Sequence, residues 1–125
     1  MLADKAAMAT IAVKDLNAAK KFYGEVLGFK LSQDMGKEAA LYQSGASTIV
    51  VYPSEFAGTN MATSATWGVG EELEAIVEKL NKQNVPFEHY DMPGMTLDGD
   101  IHVMGDFKAA WFKDPDGNIL HINNG

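Results

Sequence analysis

The sequence contains no cysteine and no arginine. Lack of cysteine excludes disulfides, a thiolate metal site and a cysteine nucleophile. Lack of arginine removes the guanidinium fork that grips carboxylates and phosphates through paired hydrogen bonds. All ten basic residues are lysines, so any anionic group on a ligand must be held by Lys, His, neutral donors or water. A glycine-rich phosphate loop and a G-x-S-x-G nucleophile elbow are also missing. No apolar run is long enough for a membrane span, and the opening MLADKAAMATIAV carries Asp4 and Lys5 where a signal peptide would be apolar. A cytoplasmic location is therefore the default expectation. Net charge of −7 argues against a nucleic-acid partner, whose affinity comes mainly from cations on phosphates.

What is present suits one domain of 125 residues built from two small modules sharing a core, since halves of about 60 residues bury surface poorly alone. The closing stretch KAAWFKDPDGNILHI (108–122) reads as two strands about a turn. Pro115 presets its φ, Asp116 can bond its own backbone, and Gly117 accepts positive φ. His121 then points to the face opposite Leu120 and Ile122. Met8 to Val13 predicts a strand. Asp15 is an N-cap for a helix with Leu16, Ala19, Tyr23, Val26 and Leu27 on one stripe, ended by Gly28. Strands follow at 29–33, 38–42 and 47–52, then a polar linker at 53–64. Ala65 to Val69 predicts another strand, and Leu73, Ile76, Val77 and Leu80 a second helix stopped by Asn84 and Pro86. Phe87 to Tyr90 is a further strand, and 91–106 a Gly- and Asp-rich loop. Module one thus spans about 6–52 and module two about 65–125.

The element order is an internal repeat of β-α-β-β-β. Without gaps, Ala39 to Tyr42 lies over Ala109 to Phe112, and Ile49 to Tyr52 over Ile119 to Ile122, at an offset of 70. His121 then corresponds to Val51. Ala9-Thr10 lies over Ala65-Thr66, so Met8 corresponds to Ser64. Each sheet has one apolar face to cover with its helix, leaving the other free to line a pocket.

The repeat, with VKDLNAAKKFYGEVLGF early and WFKDPDGNILHI at the end, resembles the vicinal oxygen chelate superfamily, which includes glyoxalase I, the bleomycin-resistance proteins and extradiol dioxygenases. Asp15, Phe22-Tyr23, Leu27-Gly28-Phe29 and Asp114 to Asn118 carry the likeness. It implies an α+β fold, two β-α-β-β-β modules forming a half-open barrel, often within a homodimer. It also implies a divalent metal held by His or Glu at strand positions that fall here on Met8, Val51, Ser64 and His121. Ser is a poor ligand, Val none, and Met favours soft ions, so the expectation is that the family metal is absent.

The candidate site residues are Met8, Thr10, Val51, Ser64, Thr66 and Trp111 as pocket lining, with His121 as the ionisable group. His102 lies in the expected loop, placed to lid the cavity or to be exposed. Tyr52, Phe56 and Tyr90 are candidate rim residues. The expected function is metal-independent binding of a small aromatic or cationic molecule, as in sequestration of a toxic compound. The alternatives are a glyoxalase-type enzyme whose divalent ion is held by His121 with His102 or a partner's Glu, and a metal-free enzyme with His121 as general base. Lack of arginine weighs against a glutathione-adduct substrate. A third is an interaction module whose sheet is closed by a partner chain.

Overall fold

The computed structural model describes residues 1–125. The fold is α+β, with the chain divided into two compact units, Met1–Asn60 and Met61–Gly125.

In the first unit, β1 (Ala9–Val13) leads into α1 (Leu16–Lys20), followed by β2 (Lys30–Asp34), β3 (Ala40–Ser44) and β4 (Ser47–Pro53). The sheet order is β1-β4-β3-β2, with β1 parallel to β4 and the other pairs antiparallel. Asp15 caps α1 as expected: its carboxylate accepts from the Asn17 and Ala18 amides at 3.0 and 3.1 Å, filling bonds the first turn cannot make internally. The sequence predicts a single α-helix to Leu27, whereas after Lys20 the coil widens into a π-helix over Lys21–Val26, with Leu27 N–H reaching back to Phe22 O at 2.9 Å. Neighbouring positions on an α-helix diverge by about 100°. The wider coil turns both Phe22 and Tyr23 inward, their rings 5.2 Å apart and edge to face. Gly28, at φ 78°, ends the segment. Ile11, Val13, Ala40, Tyr42, Ile49 and Val51 supply the sheet side of this core.

The second unit runs β5 (Thr63–Gly68), a 3₁₀ turn at Gly70–Glu72, α2 (Leu73–Lys82), β6 (Phe87–Glu88), β7 (Thr96–Asp98), β8 (Ile101–Met104), β9 (Phe107–Lys113) and β10 (Ile119–Asn123). Sheet order is β5-β10-β9-β8-β7, with β6 also on β9. Leu73, Val77 and Leu80 are the buried stripe of α2, each contributing about 1.5–3 kcal/mol by leaving water. Asn84 takes φ 61° just past the helix, and Val85 N–H closes on Leu80 O at 3.1 Å.

The predicted loop at 91–106 is a correction. It contains the β7–β8 hairpin, with Asp98 paired to Ile101 across Gly99 and Asp100. Strands of three and four residues carry too little alternation to stand out beside glycines and aspartates. β6 and β8 share one edge of β9: β6 lies opposite Trp111 and Phe112, β8 opposite Phe107 to Ala109.

The repeat is real, with one slip. Leu41 pairs with Val50 in the first unit, and Trp111 with His121 in the second. β3 and β9 therefore match at an offset of 70, but β4 and β10 at 71, because the turn at Asp114–Asn118 holds one residue more than its counterpart at Ser44–Ser47. The true counterpart of His121 is Val50, and that of Val51 is Ile122. A shift of one residue moves a strand side chain to the opposite face. Val51, expected to line a pocket, is instead fully buried on the helix-packed side.

Candidate functional site

On the face of the second sheet opposite α2, alternation sets Thr66, His121, Trp111 and Glu88 in one row across β5, β10, β9 and β6. With strands about 4.8 Å apart, that row is about 14 Å long. Trp111 and His121 stack, ring centroids 4.3 Å apart and planes at 27°. His102 meets Trp111 edge to face at 4.9 Å, and Tyr90 does so at 5.3 Å. The four rings form one cluster, flanked by the exposed Thr66 on one side and by Glu88 and Lys113 on the other.

His102 is not on an exposed loop. It sits in β8 with 0% of its surface accessible, 5.9 Å from the Tyr90 ring. The Tyr90 backbone N–H donates to its Nε2 at 2.8 Å. His121 is 9% exposed, and its Nδ1–H donates to the Ala110 carbonyl at 3.2 Å. The Asn123 side-chain amide donates to His121 Nε2, also at 3.2 Å. Asn123 is held in that orientation because its Oδ1 accepts the Gly125 N–H at 2.9 Å. Burial pushes the His121 pKa below the ordinary imidazole value. The Ala110 carbonyl opposes that, and the nearby His102 adds to it.

A neutral imidazole has one lone pair. In His102 that pair takes the Tyr90 amide, and in His121 it takes Asn123. Neither ring therefore offers a lone pair to a metal or to a substrate proton without first giving up a protein hydrogen bond.

The remaining expected positions are more scattered. Thr10 is exposed on β1 and bonds the Met8 carbonyl at 3.3 Å. Met8, expected as pocket lining, lies just before β1 and is 53% exposed. Ser64 is half-buried on β5. Tyr52 and Phe56 are exposed. Donor chemistry at the positions implied for a metal does not fit a hard divalent ion: a thioether and a hydrocarbon in the first unit, a hydroxyl and an engaged imidazole in the second. No three His, Cys, Asp or Glu side chains gather where they could hold a metal ion.

Two groups at the site escaped the sequence reading. Glu88 accepts from Lys113 at 2.7 Å, and this bond raises the lysine pKa. Asn123 orients His121. Both could have been found by running the alternation outward from Trp111 and His121, once the pairing of β6 with β9 was known.

A concavity of about 460 Å³ lies on the α2 side and is lined by Val77, Asn81, Asp98, Asp100 and Ile101 among others. Its charges are largely engaged. Asp100 takes His89 Nε2 at 2.7 Å and Asn81 at 2.7 Å, the two bonds that lower its pKa. Glu74 pairs with Lys108 at 2.9 Å, and Glu78 with Lys82 at 3.2 Å.

A family model for the Glyoxalase/Bleomycin resistance protein/Dioxygenase superfamily matches residues 5–122. The chain belongs to that superfamily. No curated protein matches it. Among solved structures, a genomically encoded fosfomycin resistance protein from Listeria monocytogenes aligns with TM-score 0.75 at 14% identity, covering 98% of this chain and 93% of that one. A glyoxalase family protein from Enterococcus faecalis gives 0.73 at 20% identity, over 98% and 99%. A lactoylglutathione lyase from Agrobacterium tumefaciens gives 0.70 at 14%, over 96% and 92%. At these identities the likeness is one of fold. This superfamily member carries the repeat and the Asp114–Asn118 turn, with Met8, Val51, Ser64 and His121 at the positions implied for a metal.

Proposed function

We propose that this superfamily member binds small planar apolar molecules, without metal, on the ring cluster of its second sheet. One observation carries the reading: Trp111, only half-buried, is braced by His121, His102 and Tyr90, while both imidazole lone pairs are spent on internal hydrogen bonds. Such a surface offers apolar area and ring stacking, worth roughly 25 cal/mol per Å² buried, and no acid–base group in a ready state. A row of about 14 Å matches a ligand of two or three fused rings. Holding such a compound out of solution, as in sequestration of a toxic molecule, asks nothing more of the site. Fosfomycin resistance and lactoylglutathione lyase activity, named for proteins of similar fold, show how varied the chemistry on this scaffold is.

The test uses the two tryptophans. In Trp67→Phe, Trp111 is the sole indole, and its fluorescence should be quenched saturably by planar probes of two or three rings. In Trp67→Phe/Trp111→Leu, which has no indole, binding is followed by thermal shift, and the probe-induced stabilisation seen in Trp67→Phe should vanish. Stoichiometric Ni²⁺, Zn²⁺ or Mn²⁺ retained by purified protein and lost in His121→Ala would replace this reading with the metal-dependent one.

A further inference from the structure

His102 carries a polar atom that nothing in the chain satisfies. Its Nε2 accepts the Tyr90 N–H at 2.8 Å, so in the neutral ring the proton sits on Nδ1. Nδ1 is buried and has no hydrogen-bond partner. Leaving a buried donor unpaired is costly, and proteins do so at few positions. This donor belongs to a fully buried side chain that contacts Trp111, on the face assigned to ligand.

We propose that His102 Nδ1–H is the polar anchor of the ring cluster, donating to an oxygen acceptor on an uncharged or anionic planar ligand, such as a ring carbonyl or a phenolate. The inference rests on the reading of Trp111 as a ligand platform and adds the ligand's chemical class. A tautomer fixed as donor at Nδ1 rejects a cation, which brings no acceptor and would meet the positive end of the N–H dipole. It also discriminates against a plain hydrocarbon, which leaves the donor unpaired. His102 has no accessible surface, so a ligand reaches Nδ1 only when one of its ring neighbours, Tyr90 or Trp111, shifts.

Three probes of nearly equal shape separate the possibilities: 2-quinolone, naphthalene and N-methylquinolinium, each titrated against Trp111 fluorescence in the Trp67→Phe background. The quinolone should bind about tenfold tighter than either of the others, the worth of one neutral hydrogen bond. That preference should collapse to within about twofold in His102→Phe and return in His102→Gln, whose amide can accept from Tyr90 and still donate. A merely structural His102 would lower thermal stability on substitution and leave the preference intact, and that result overturns the proposal. Wild-type protein gives an answer even if His102→Phe fails to fold: in ¹⁵N spectra, quinolone should shift the His102 Nδ1–H resonance far more than Nε2. Equal affinity for quinolone and naphthalene, or an unmoved Nδ1–H with quinolone bound, sinks the anchor and spares the platform. Failure of all three probes to quench Trp111 sinks both.

Discussion

Asp114 holds the last hairpin together through one side chain. Its Oδ1 accepts the backbone amides of Asp116 and Asn118, both at 2.9 Å, and its Oδ2 accepts the Asn118 side-chain amide at 2.8 Å. These bonds are buried or nearly so, and each donor left behind by Asp114→Ala would lose a charged acceptor. Destabilisation of about 2–4 kcal/mol is expected, read as a lower urea midpoint with unchanged slope. His121 makes a different prediction. Burial lowers its folded pKa below that of the unfolded chain, so the unfolded state binds the proton more readily. Its contribution is intact above the unfolded imidazole value of about 6.5 and is lost as pH falls toward the folded value. Melting temperature should therefore drop on acidification below about pH 6.5, with a smaller drop in His121→Gln. An NMR titration placing the His121 midpoint above 6.5 would contradict this.

Among the elements, α1 is the one whose start was written most plainly in the sequence. Asp15→Ala should cost about 1 kcal/mol, the ordinary worth of an N-cap, and Asp15→Asn much less; chemical denaturation of both variants decides it. The π-helical continuation over Lys21–Val26 was not legible, because apolar spacing marks which face is buried and not how wide the coil is. The β7–β8 hairpin was missed for the complementary reason. Its strand β8 pairs with the edge of β9, a partner that no local window contains, and β7 is held through β8. His102 was consequently read as a loop residue, whereas β8 carries it into the ring cluster beside Trp111.

For the whole molecule, composition and donor chemistry make one joint prediction. The chain has no cysteine, both ring-cluster imidazoles spend their lone pairs on internal hydrogen bonds, and its carboxylates do not gather into a group of three that could hold a metal ion. Treatment with EDTA followed by buffer exchange should leave the melting temperature within about 1 °C, since only a ligand bound by the native state raises it. A fall of several degrees, restored by one divalent ion, would show a site that these donors do not suggest. No helix is long and apolar enough to cross a membrane.

Sequence alone determined the two-fold repeat of strand, helix and following strands, the Asp15 cap and the Asp114–Asn118 turn. These follow from periodicity, turn chemistry and residue type, which are local properties. The tertiary structure decided which face each candidate occupies. One extra residue in the last turn set His121 against Trp111 and made Val50, not Val51, its counterpart. Strand pairing also brought His102 and Tyr90 to that same tryptophan, and fixed where each imidazole proton resides. Register and tautomer depend on partners distant in the chain, and no stretch of sequence carries them by itself.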